Sequence, residues 1–109
     1  MPQPADYQID ASPDRAVLSG ILRLPSPESY DAVLAPVKEA MRAAPEYAID
    51  VSDVTFMNSS GIRALAGLVL EARRSARTLR LIGRRSVPWH RKTAGSLQAL
   101  YEQLDVSLS

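Results

Sequence analysis

A chain of 109 residues, 46% hydrophobic but only 6% aromatic, has apolar material for one compact core and is too short for two. Without cysteine it can build neither a disulfide framework nor a thiolate metal site, and a reducing cytoplasm is the expected setting. Thirteen Lys and Arg against twelve Asp and Glu give a formal net charge of +1, near balance as a total but unevenly placed along the chain.

The N-terminus, MPQPADYQID, lacks a basic segment followed by an apolar core and does not read as a signal peptide. Residues 1–5 are expected to form a short arm before a single domain over residues 6–109. YQID and RAVLSGILRL are strand candidates, and Ser12-Pro13-Asp14 supplies the turn that makes them a hairpin. A helix opens next, with Ser26 as N-cap and Pro27 in the first turn, where its missing N–H costs nothing. Tyr30, Val33, Leu34, Val37 and Met41 keep the helical period. Pro36 predicts a kink or an offset first turn, and Ala44-Pro45 ends the element.

EYAIDV then places Tyr47, Ile49 and Val51 on one face of a strand, and RTLRLIG alternates in a similar way. Strands covered by helices on both sides would be apolar almost throughout, so the alternation predicts a sheet protected mainly on one face. The last helix starts at Pro88 or Thr93, with Ala94, Leu97, Leu100, Tyr101 and Leu104 as its apolar stripe, and DVSLS adds a short edge strand. The order ββαβαβα predicts an α/β domain with a mostly parallel or mixed sheet and right-handed crossovers. The longest apolar run lies within ALAGLVL, residues 64–70, well short of the ~20 residues that span a membrane, so no membrane insertion is expected.

Between the central strand and its helix lies Asn58-Ser59-Ser60-Gly61. The apolar stripe of Ile62, Leu65, Ala66, Val69, Leu68 and Ala72 fixes where the helix runs. Asn58, Ser59 and Ser60 are then all cap candidates, and Gly61 lets the backbone approach a neighbour. A cap needs only one such side chain, and a corner at the carboxyl end of a strand is where α/β sheets place their sites. The outer face of the same helix carries Arg63, Gly67, Leu70 and Arg74 in one line. Gly67 costs ~1 kcal/mol relative to Ala in a helix interior. Two readings remain: a docking surface flanked by arginines, or a helix packed close to the sheet or to another helix.

From Arg73 to Lys92 there are eight cations (Arg73, Arg74, Arg77, Arg80, Arg84, Arg85, Arg91 and Lys92) and no acid. A solvated face is the plain explanation, and a surface for an acidic protein, a nucleotide or a nucleic acid is the alternative. Trp89 is the one aromatic among them, so nucleic acid is not the expected partner. Trp89 and His90 themselves read as packing or surface residues.

The stretch IDVSDVTFMNSSGIRAL resembles the signature of the STAS domain as found in anti-sigma factor antagonists. That signature is an apolar strand, a D-x-S-x-V-x-F segment, then D/N-S-S-G and a helix. The matching positions are Asp50, Ser52, Val54, Phe56, Asn58, Ser59, Ser60 and Gly61. Upstream, VLSGILRLPSPESYDAVLAPV is similar to the family's G-x-L strand leading into its first helix.

The resemblance implies a non-enzymatic, cytoplasmic signalling module in partner switching and transcription regulation, with no cofactor or metal. Its partner would be a serine kinase of the histidine-kinase-like ATPase type that also holds a sigma factor, and a phosphatase would reset it. The implied phosphoacceptor is Ser59, in an environment of Asn58, Ser60 and Gly61. Arg23, Arg63, Gly67, Leu70 and Arg74 are the expected partner-binding residues.

Two positions depart from the pattern. Asn58 stands where many phosphorylated members carry Asp, and an amide hydrogen-bonds but cannot act as a base. Arg23 stands where the strand often ends in Asp, which points to a different or unusually acidic partner. The competing reading within the family is a scaffold or regulatory subunit of a transporter or signalling complex that is never phosphorylated. A serine hydrolase is disfavoured, because G-x-S-x-G fails around both serines and His90 is the only histidine.

Overall fold

The computed structural model describes residues 6–109; the expected arm at residues 1–5 lies outside them. The chain begins with a hairpin, β1 (Tyr7–Ala11) and β2 (Arg15–Leu22), followed by α1 (Pro27–Ala43), β3 (Glu46–Met57), α2 (Ser59–Arg74), β4 (Thr78–Gly83), α3 (Pro88–Leu100) and β5 (Asp105–Leu108). The strands form one sheet in the order β1-β2-β3-β4-β5. β1 and β2 are antiparallel, and every other pair is parallel.

Three successive crossovers step the same way across the sheet. With a common right hand, they lay all the helices on one face. α1 packs against α2 and α2 against α3. The apolar residues follow this plan: Ala16, Leu18 and Leu22 of β2, Tyr47, Ile49, Val51, Val54 and Met57 of β3, and Leu79 and Leu81 of β4 are buried together with Leu34, Val37, Met41, Leu65, Leu68 and Val69 of the helices. The row opposite the helices, Asp10-Val17-Asp50-Ile82-Ser107 by register, is exposed or half-buried. The expected one-sided α/β sheet is the observed one.

Ser26 caps α1 as expected, its side chain accepting the N–H of Ser29, with Pro27 in the first turn. The helix assignment continues through Pro36, where the sequence pointed to a kink or an offset first turn. Pro36 is exposed, so the carbonyl that loses its partner can reach water instead. α3 starts at Pro88 and ends at Leu100, so Tyr101 and Leu104 are buried from the loop beyond it and not from the helix.

β3 is longer than its alternation suggested. Relative to β2 it carries two one-residue bulges: Val17 and Ser19 pair with Asp50 and Asp53, and Gly20 and Ile21 with Val54 and Phe56. Each bulge shifts the alternation by one residue. Val54 and Met57 therefore point inward while Phe56 is turned out, 49% exposed. Gly20 sits opposite the second bulge at φ +90, where a Cβ would collide with the Asp6 carbonyl that accepts the N–H of Ile21.

Candidate functional site

The corner is built by α2, whose N-cap is Asn58. The Asn58 side chain accepts the N–H of Gly61 at 3.0 Å and the Tyr30 hydroxyl at 2.7 Å through Oδ1, and donates to the Leu24 carbonyl at 2.9 Å through Nδ2. A backbone N–H can only donate and a backbone carbonyl can only accept, so these two contacts fix which end of the amide is oxygen. The Leu24 N–H donates back to the Tyr30 hydroxyl at 3.3 Å. The Asn58 N–H is held by the Leu22 carbonyl at 2.9 Å. One amide thus ties together the end of β2, the loop before α1, the first turn of α1 and the first turn of α2.

Tyr30 is buried, and burial pushes its hydroxyl above its ordinary value of 10.0, so at neutral pH the phenol is a donor to Asn58. Gly61 is required by the same crowding, since a Cβ there would lie 2.5 Å from Met57 Cγ and 2.8 Å from the Tyr30 hydroxyl. Tyr30 is the site residue that sequence reasoning missed. Its place in the α1 stripe was plain, and a buried tyrosine hydroxyl always needs a partner. Nothing local indicates that the partner lies 28 residues on.

Because Asn58 does the capping, the serines are released from it. Ser59, the first residue of α2, is exposed, and its hydroxyl enters no hydrogen bond among the described residues. Ser60 is half-buried and turns toward a groove of about 580 Å³ between α1 and α2. Leu34, Ala35, Ala64 and Leu68 contribute apolar surface to the groove, and Arg63, Gly67 and Arg74 also line it. Glu71 of α2 binds Arg42 of α1 across it at 2.9 Å, and Arg74 on its own helix at 3.5 Å. The Arg42 hydrogen bond, followed by the charges of Arg42, Arg74 and Lys38, holds the Glu71 carboxyl below its ordinary 4.5.

Of the expected partner-binding residues, the structure thus brings Arg63, Gly67 and Arg74 together with Ser60. Leu70 is 37% exposed but does not line the groove. Arg23 is also separate from it: it follows β2, exposed, with its guanidinium 3.5 Å from Asp6. It does share the corner's end of the sheet, since its neighbours Leu22 and Leu24 are the residues held by Asn58. Gly67 has no packing reason to be glycine, since a Cβ there would meet nothing within 4 Å.

The cations of the basic stretch are exposed except for the half-buried Arg77, as expected of a solvated face, and several of them also brace the fold. Arg73 donates to the Leu100 carbonyl, Arg77 to that of Ala44, and Arg84 to that of Ser52, while Arg74, Arg80 and Arg84 pair with Glu71, Asp105 and Asp53. Arg85, Arg91 and Lys92 are exposed. His90 is buried: Nδ1 accepts the Arg84 N–H at 3.0 Å, so Nε2 carries the hydrogen and donates to the Val54 carbonyl at 2.8 Å. Trp89 donates to the same carbonyl at 3.3 Å. Both ring nitrogens of the only histidine are therefore engaged with backbone. Among the described residues no group of His, Asp or Glu could hold a metal ion, and no helix is long and apolar enough to cross a membrane.

The family model for the STAS domain matches residues 28–104, a span that runs from the second residue of α1 to beyond α3 and holds the whole Asn58-Gly61 corner. This chain belongs to the STAS domain family. No curated protein matches it closely enough to be named beside it. In this STAS domain the corner residues divide the work: Asn58 caps, Gly61 admits Tyr30 and Met57, and Ser59 alone is left facing outward.

Proposed function

We propose that the protein is a phosphorylation-controlled binding module of the anti-sigma factor antagonist kind. It docks on a serine kinase of the histidine-kinase-like ATPase type and is released when Ser59 is phosphorylated. The observation that carries the reading is the exposed Ser59 hydroxyl, which the Asn58 cap leaves unused on a rigid corner beside the α1–α2 groove. A phosphoryl group there adds about 1.5 to 2 negative charges near the first N–H groups of a helix, so the domain stays folded while its surface changes. Switching from 1:99 to 99:1 bound needs about 5.5 kcal/mol of differential affinity, so several contacts must be lost together. Arg63, Gly67, Leu70 and Arg74 on α2 and Arg23 at the corner are the residues assigned to them.

Mass spectrometry of the protein from its own cells is expected to find phosphate on Ser59, and Ser59→Ala and Ser59→Asp are expected to retain and to lose the ATPase partner respectively. If neither substitution alters the set of bound proteins, the switch is wrong.

One observation favours a second reading, an unphosphorylated scaffold or regulatory subunit. Asn58 is committed at both ends of its amide and offers no base to Ser59. On that reading partner binding is indifferent to alanine or glutamate at Ser59.

A further inference from the structure

We propose that Arg63 is this chain's own clamp for a phosphoryl group on Ser59, so that modification pulls its guanidinium off the lip of the α1–α2 groove. The inference rests on Ser59 as phosphoacceptor, and it supplies the step by which a change at the corner reaches the groove.

Ser59 and Arg63 are four residues apart on α2, the spacing at which side chains stand one above the other. Helical side chains lean toward the N-terminus, so Arg63 leans over the turn that begins at Ser59. Both residues are exposed. Arg63 lines the groove and, among the described residues, makes no ion pair, whereas Arg42 and Arg74 are held by Glu71.

In the transfer, the bond from the γ-phosphorus of a nucleoside triphosphate to its bridging oxygen breaks. A new P–O bond forms at Ser59 Oγ, the nucleoside diphosphate leaves, and the hydroxyl proton passes to solvent. The product is a dianion one turn from an uncommitted guanidinium, whose planar fork matches phosphate oxygens two at a time. An acidic partner group that met Arg63 in the groove would lose its counter-ion at the same moment. Of the other cations at the carboxyl end of the parallel strands, Arg84 is paired with Asp53 beside the middle of β3, and Arg23 is the one next to the strand end that Asn58 holds. It stands on a loop and is already turned to Asp6.

The test uses the full chain with phosphoserine installed chemically at position 59, which needs no kinase. The second phosphate pKa is read by ³¹P NMR titration at low salt, in the parent and in Arg63→Gln, Arg63→Lys and Arg23→Gln. The parent is expected to titrate about 0.2 to 0.4 unit below Arg63→Gln, with Arg63→Lys between them and Arg23→Gln unchanged. The Arg63 Nε–H resonance is expected to move with the same midpoint. A parent and an Arg63→Gln that titrate together, or a shift that follows Arg23 instead, overturns the clamp. Absence of phosphate on Ser59 in cells would remove the switch but would leave this titration as it is, so the two failures are distinguishable.

Discussion

Asn58 and Asp are about equal as N-caps, yet at this corner they are not equivalent. The Asn58 amide donates to the Leu24 carbonyl at 2.9 Å while accepting from Gly61 and Tyr30. A carboxylate keeps the second role and turns repulsive in the first. Asn58→Asp is therefore expected to destabilise the domain by about 1 to 3 kcal/mol at neutral pH, read by urea denaturation, although it restores the family's commoner residue. A neutral result would show that the Leu24 contact does not matter. The departure that the sequence showed as a possible defect in phosphoacceptor chemistry thus has a structural reason. The letter Asn was legible, but the Leu24 carbonyl it binds was not, because that contact depends on how the β2–α1 loop closes over the corner.

Helix α2 contains two glycines with opposite meanings. Gly61 faces Met57 and Tyr30 at contact distances that leave no room for a Cβ, whereas Gly67 faces open space. Gly61→Ala is expected to cost about 1 to 3 kcal/mol by overpacking, and Gly67→Ala to stabilise by about 1 kcal/mol through helix propensity, both read as shifts in thermal midpoint. A gain in stability at Gly67 that comes with weaker partner binding would locate the docking face on this helix.

The other end of α2 closes with a Schellman motif. Ala76 donates to the Arg73 carbonyl and Arg77 to that of Ala72, with Ala76 at φ 51 where glycine is preferred. Ala76→Gly is expected to stabilise by about 0.5 to 1 kcal/mol, the left-handed penalty outweighing the extra chain entropy. At this scale the sequence was most legible. Ser26 and Pro27, the Tyr47-Ile49-Val51 face and the final edge strand follow from local periods and caps. The bulges that expose Phe56 were not legible, since they arise from pairing with β2.

For the whole molecule, alternation along β3 and β4 was enough to predict a sheet with one open face, because a strand buried on both sides could not tolerate Asp50 or Arg80. Charge was legible in part: the cations from Arg73 to Lys92 are exposed except at Arg77, as a solvated face requires, but Arg73, Arg77, Arg80 and Arg84 also tie helices, loops and strands together through contacts distant in sequence.

The pH dependence of stability follows from the groups that hold these elements. Glu71 is held below its ordinary 4.5, chiefly by its hydrogen bond to Arg42. Its contribution is present above that value and is lost as pH falls through the lowered one. Burial raises Tyr30 and Tyr47 above 10.0, so their contribution is intact at neutral pH and lost as pH rises beyond that value. A thermal midpoint level between these limits and falling at both is expected, with the acid limb flattened in Arg42→Gln.

The central claim concerns none of these supports but the one hydroxyl they present to solvent. Its most direct test is the affinity of the proposed ATPase partner, once purified, for this chain with serine and with phosphoserine at position 59. The account expects at least about a hundredfold weaker binding of the phosphorylated form, roughly 2.7 kcal/mol, and equal affinity of the two forms would contradict it.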